Sequence, residues 1–288
     1  MILELILSLI IGAAMLALRS YTSPHPATLA PDFLTYQNMS KGRPAPDPFR
    51  TRWLLPKLMN GDALKGWYTV GIVGLLLSFP ALYLFAETAG ASGLWAVVIW
   101  GSLPVIDVLW RMRGMIDHVS WPVALLAGTF VLSGHIIPAI IFVALTAMLD
   151  PRTVIFVFAW TLNPWVLLGL IPFVAASVML PKGGPYIHPD VILHPWQSAK
   201  KINGPFLLEP KMTLIPWGVC IAGFLNLSVA VIVSLLFGYA KMFRAIDRVR
   251  LYMWAAPVLI IATLGIVPEA WLPLAVIVTL MNPWKAVT

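Results

Sequence analysis

The segment Trp-Pro-Val-Ala-Leu-Leu-Ala-Gly-Thr-Phe-Val-Leu-Ser-Gly-His-Ile-Ile-Pro-Ala-Ile-Ile-Phe-Val-Ala-Leu-Thr-Ala-Met-Leu, running from Trp121 to Leu149, carries no Asp, Glu, Lys or Arg. About 20 apolar residues cross a bilayer, so this run is long for one crossing and short for two. Gly134, His135 and Pro138 fall in its middle and predict two short helices hinged there. The run is too continuous for a transmembrane β-strand, which alternates apolar and polar residues over about ten positions. The fold class expected is all-α, a polytopic transmembrane helical bundle.

The rest of the chain agrees. Of its 288 residues 60% are hydrophobic and 11% are charged, with a mean hydropathy of +0.87. A water-soluble domain carries about 25% charged residues, so an ordinary soluble protein is excluded. Disorder, collagen and a disulfide scaffold are excluded as well, because the apolar fraction is high, glycine has no triplet period and Cys220 is the only cysteine. Cys220 lies in an apolar run that predicts a packed core thiol. Candidate spans cover residues 1–18, 67–85, 93–110, 121–149, 153–180, 213–237, 251–266 and 271–280, which makes eight or nine with the hinge counted both ways. The first has no basic segment before it, which predicts a retained span rather than a signal peptide. The whole of 1–288 reads as one integral-membrane domain, interrupted by polar stretches at 19–66 and 182–212.

The 19–66 stretch is where chemistry concentrates. Asp32 follows a proline and opens 33–40, a segment that predicts a short interfacial helix with Asp32 near its N-terminus and Tyr36 on the same face. The prolines at 44–48 end that helix, and 49–58 starts a second interfacial one. It holds Arg50 and Arg52 close to the bilayer with Trp53 as an aromatic anchor. A carboxylate and two guanidinium groups so arranged suit a lipid-linked phosphate.

The pattern Asp32 to Tyr36, then Met-Ser-Lys-Gly, then Pro-Phe-Arg-Thr-Arg-Trp-Leu-Leu-Pro just after a first span, resembles the first large loop of glycosyltransferases of the GT-C type. The segment from Met115 to Thr153, with Ile-Asp-His-Val-Ser-Trp-Pro, Ser-Gly-His and Met-Leu-Asp-Pro-Arg-Thr, is similar to the paired short helices of such proteins, and the likeness covers about half the chain. The resemblance implies sugar transfer from a polyprenyl-phosphate donor. Asp32 would serve as catalytic base or acceptor-orienting group, with Asp117 as a second acidic residue. Tyr36, Arg50, Arg52 and His118 would meet the substrate and the lipid phosphate. The chain is short for this family and lacks its soluble acceptor-recognising domain.

An even number of crossings separates the Asp32 loop from the loop holding Asp117 and His118, so the two share one membrane face whichever way the protein is inserted. Asp150 and Arg152 join that face if 121–149 crosses twice. Asp107 and Arg111 stand at i, i+4 spacing and predict a local ion pair, with a cavity-facing Asp107 as the rival. His135 predicts a buried imidazole bonded to a neighbouring helix. The stretch His-Pro-Asp-Val-Ile-Leu-His at 188–194 lacks zinc-binding spacing, and no metal or other cofactor is expected. Asn-Pro-Trp at 163–165 and 282–284 reads as helix-end chemistry.

The formal charge of +7 follows membrane logic, because the basic residues flank spans, so nucleic acid is not expected as a partner. A polyprenyl-phosphate-linked sugar or another anionic lipid is. Counting basic residues places the 19–66 loop on the cytoplasmic side of a bacterial-type membrane. A loop that binds a lipid phosphate is basic on either side, so orientation stays open. Two other readings stand beside transfer. One is a transporter or channel using Asp107, His135 and Asp150, and the other a non-catalytic membrane subunit.

Overall fold

A computed structural model describes residues 2–22, 28–29, 33–46, 49–59, 64–113, 116–180, 215–242 and 253–281. The hinge near Gly134 is a helix terminus. Helix α7 (Asp117–Leu132 in chain order, after six shorter or earlier helices given below) ends with Gly134 at a φ of 74°, its N–H bonded to the Val131 carbonyl, while the N–H of His135 reaches the Phe130 carbonyl. That pair of bonds satisfies carbonyls the helix leaves over, and glycine accepts the left-handed backbone it needs. The next helix, α8 (Ile136–Leu149), starts at once. His135 is thereby turned outward and exposed, its ring edge-on to Phe130 at 6.5 Å. The expected buried imidazole is corrected, because the glycine turn carries the residue out of the bundle.

The described chain is helical apart from one two-residue parallel bridge, β1 (Thr28–Leu29) on β2 (Met112–Arg113). Before the hinge come α1 (Ile2–Thr22), α2 (Phe33–Ser40), α3 (Leu54–Met59), α4 (Leu64–Thr88), α5 (Gly93–Ser102) and α6 (Pro104–Arg111). After it come α9 (Pro151–Thr161), α10 (Ile171–Met179), α11 (Val229–Met242), α12 (Ala256–Ile266) and α13 (Leu272–Leu280). The expected interfacial helix at 33–40 is α2, and 49–58 divides into a 3-10 turn, Phe49–Thr51, and α3.

Among the described residues, two helices are long and apolar enough to cross a membrane, Ile2–Tyr21 and Gly66–Thr88. A third is added if the pair Ala256–Ile266 and Glu269–Leu280, bent by 115°, counts as one. Eight or nine were expected, and the difference has a local cause. Leu103 takes an extended backbone (ψ 141°) before Pro104 and splits the run at 93–110. Leu162 at a φ of 51°, followed by Asn163 and Pro164, splits 153–180, and Asn163 caps the 3-10 helix Pro164–Leu170 by accepting from the Trp165 N–H at 3.1 Å. The first Asn-Pro-Trp is thus helix-end chemistry; the second lies outside the described residues.

The helices run between two ends of the molecule. At one, Trp67 of α4, Ile116 before α7 and Leu149 of α8 pack under Phe33, Tyr36 and Phe49 of the first polar loop. At the other, residues from the ends of α4, α7 and α9 meet Asn226, Ser228 and Gly265. Between them lies a tryptophan stack. Trp121 of α7 lies 3.8 Å from Trp254 at an interplanar angle of 7°, Trp100 of α5 is 4.8 Å from Trp121, and Trp160 of α9 is 6.2 Å from Trp254. Trp100 Nε1 donates to Ser78 Oγ and Trp160 Nε1 to the Trp254 carbonyl, each at 3.1 Å. Large rings bury much area, and these two indole N–H groups are met, whereas Trp121 Nε1 is buried with no acceptor among the described residues. Cys220 is buried, as expected.

Close approach of helices depends on small residues, as is usual in membranes. A Cβ on Gly74 of α4 would sit 2.7 Å from the carbonyl oxygen of His118 in α7, whereas one on Gly265 of α12 would meet nothing within 4 Å. We expect Gly74→Ala to destabilise the detergent-solubilised protein by about 1–3 kcal/mol through overpacking against backbone. Gly265→Ala should leave stability unchanged or raise it by up to about 1 kcal/mol. Thermal unfolding of the two variants checks the contrast.

Candidate functional site

Asp150 organises the polar end. The sequence Leu-Asp-Pro-Arg-Thr starts α9 with Pro151 in its first turn, where a proline lacks only an N–H that has no helical partner anyway. Asp150 is the N-cap and accepts from the Arg152 N–H at 3.1 Å. Its carboxylate also takes a bidentate bond from the Arg152 guanidinium, with Nε at 2.8 Å from Oδ1 and the second arm from Nη2 to Oδ2. Asp150 is fully buried, and so needs this charge near it.

Arg52 supplies a second cation. It lies between the Phe49–Thr51 turn and α3, its Nε 3.7 Å from Asp150 Oδ1, with side chains 5% and 0% exposed. Arg52 Nη1 donates to the Tyr36 hydroxyl of α2 at 2.8 Å. The guanidinium also lies 5.5 Å from the Phe49 ring, itself edge-on to Tyr36 at 5.5 Å. Burial alone would push the Arg52 guanidinium down, but the charge of Asp150, the Tyr36 hydroxyl and the charge of Asp117 outweigh it and hold it above its ordinary value.

Trp67 of α4 closes the cluster from the bundle, stacked on Tyr36 at 6.4 Å and edge-on to Phe33 at 5.9 Å. Its indole Nε1 is buried and has no hydrogen-bond acceptor among the described residues. Trp121 Nε1 in the bundle is in the same state, but at Trp67 the donor lies beside a buried guanidinium and two carboxylates.

The structure therefore brings Tyr36, Arg52 and Asp117 together, with Asp150 and Trp67 added. Arg50, expected beside Arg52, is also buried but turns to α10, where its Nη1 donates to the Leu180 carbonyl at 2.9 Å. Arg50 lies in the 3-10 turn Phe49–Thr51, where about three residues complete a turn, so positions two apart face different sides, and that separates the two arginines. Asp117 and His118 likewise diverge. His118 Nε2 lies 2.7 Å from the Leu109 carbonyl of α6, a geometry that assigns the proton to Nε2. Asp32 lies outside the described residues, as do 182–212; its flanks are placed, with Leu29 paired to Arg113 and Phe33 against Trp67.

Asp107, expected to pair with Arg111, faces the charge of Arg19 in α1, whose Nη2 donates to the Ser102 carbonyl. The Arg111 side chain lies outside the described residues. The residue that sequence spacing undervalued is Asp150. An Asp-Pro pair between two apolar runs is a readable N-cap, but its pairing with Arg52, almost a hundred positions earlier, has no local signal.

Among the described residues no group of three or more His, Cys, Asp or Glu could hold a metal ion. No family model, no curated protein and no solved structure matches the sequence.

Removing one member of a buried pair strands the other, so Asp150→Ala should cost about 3–5 kcal/mol, measured by thermal unfolding in detergent. Tyr36→Phe should cost only about 1–2 kcal/mol, the loss of one bond to a charged donor. A Tyr36→Phe effect equal to that of Asp150→Ala would refute the ranking.

Proposed function

We propose that the protein is a multi-pass membrane transferase resembling the GT-C type, taking a sugar from a polyprenyl-phosphate carrier at its polar-loop end. The observation that carries this is the buried cluster of Tyr36, Arg52, Asp117 and Asp150 with the indole N–H of Trp67, drawn from five separate segments at one end of an apolar bundle. A structural staple needs one ion pair; this cluster also has a buried donor with no acceptor among the described residues. In this reading Trp67 and Arg52 meet oxygens of the lipid phosphate, and Tyr36, fixed by Arg52, lines the sugar. Asp150 is a positioning residue that holds Arg52 in place. Asp32 is the catalytic base: it takes the proton from the acceptor hydroxyl as the sugar–phosphate bond breaks and the polyprenyl phosphate leaves. Asp117 is the second acidic group beside the reacting centre. In this reading the short apolar helices complete the crossing of the bilayer by stacking end to end, giving the eight or nine passes.

The tests separate lipid recognition from chemistry. In nanodiscs the protein should bind undecaprenyl phosphate at least about tenfold more tightly than undecaprenol, a difference of about 1.4 kcal/mol. Trp67→Phe removes the donor together with part of the ring, so it should erode that preference, at some cost in unfolding temperature from the volume lost. Asp32→Asn should retain lipid binding and abolish transfer from polyprenyl-phosphate-linked hexoses. Equal binding of alcohol and phosphate, or full transfer by Asp32→Asn, overturns the assignment and favours the non-catalytic membrane subunit, in which the Arg52–Asp150 pair only fastens the loop.

A further inference from the structure

A half-open cleft lies at the end of α4, α7 and α9 opposite the charged cluster. Its volume is about 620 Å³, within the usual range for a small-ligand site. Its walls are apolar, among them Leu132, Val231, Val258 and Ile261, with the Phe85 and Trp160 rings 5.7 Å apart on one side. Polar groups gather elsewhere on the lining: Ser92, Trp95, Asn226, Ser228 and Glu269. Trp95 Nε1 donates to Glu269 Oε1 at 2.8 Å, joining the start of α5 to the Glu269–Trp271 turn, 174 residues away. Asn226 Oδ1 accepts from the Ser228 N–H at 3.0 Å, which orients the amide.

We propose that this cavity binds a single-chain amphiphile with an uncharged, hydroxyl-bearing head, of the alkyl glycoside kind. The apolar walls take the chain, because burying its methylenes contributes about 0.8 kcal/mol each. The polar lining takes the head. Glu269 is the only ionisable residue among the described lining residues, so a phosphate head meets repulsion there and finds no cation among those residues. An ammonium head meets only one carboxylate, already engaged by the Trp95 N–H, whereas a ring of hydroxyls matches a carboxylate, an amide and two serines that both donate and accept. The indole of Trp95 adds a flat apolar surface of the sort the C–H face of a sugar ring covers. This site lies beyond the transfer reading and does not rest on it.

The test uses the full chain in phosphatidylcholine nanodiscs and a dodecyl glucoside carrying a diazirine on its chain. Photolabelling should concentrate on peptides containing Val258 and Ile261. Unlabelled dodecyl glucoside should compete at least about tenfold better than dodecyl phosphate or dodecyltrimethylammonium of the same chain length, a preference of about 1.4 kcal/mol. Ala262→Phe, which fills the cavity, should abolish the labelling, and Glu269→Ala should weaken competition by the glucoside several-fold. If Ala262→Phe does not fold, the competition series on the unaltered protein decides alone. Labelling spread evenly over lipid-facing helices, or competition by either charged amphiphile as strong as by the glucoside, overturns the proposal.

Discussion

A guanidinium taken out of water has to keep its counter-charge, and in this molecule that requirement ties the first polar loop to the bundle. Arg52 comes from the loop and Asp150 from the start of α9, and both are buried. Separating them would leave an uncompensated charge in an apolar setting, so the loop is held down by electrostatics at one point and by ring packing around it. Tyr36, Phe49 and Trp67 fill the space beside the pair and exclude water. Low local dielectric then strengthens the bonds that remain, and in the same place Trp67 Nε1 and Arg52 Nε are buried with no hydrogen-bond acceptor among the described residues.

The bundle beneath is organised by a different constraint. With little polar surface to arrange, its helices are located by shape, and shape comes from large and small residues in opposition. The tryptophans of α5, α7 and α9 stack with Trp254 in the middle, while Gly74 and Gly128 let α4 and α7 approach until side chains meet backbone or ring. Proline and glycine breaks keep most of the described helices short. Charge and cavity are thereby segregated, with arginines and buried carboxylates at one end and an apolar, weakly acidic cavity at the other.

Much of this was legible along the chain. The proline-bounded segment 33–40 read as a helix and is one, and the Gly134 hinge read as a helix end and is one. In both cases the signal is local, since a proline lacks a donor and a glycine accepts positive φ whatever surrounds them. The bridge of β1 on β2 brings the segment before Asp32 next to the one that precedes α7, a contact no local signal announced. Side-chain surroundings were harder to read: His135, expected to be buried, is exposed, and Asp107 faces the charge of Arg19 from a different helix. Partners in an apolar bundle are chosen by which helices pack, and helix packing leaves no trace in spacing along one segment.

By itself, then, the sequence determined the class of molecule, the places where helices begin and end, and the loops that carry charge, because each of these depends on hydropathy or on backbone chemistry within a few residues. Tertiary structure alone decided that Arg52 belongs to Asp150 and Tyr36, that Arg50 turns away to Leu180, and that the larger cavity opens at the far end beside Trp95 and Glu269. Those facts join residues many tens of positions apart, and only the packing of whole helices brings such residues within reach of a hydrogen bond.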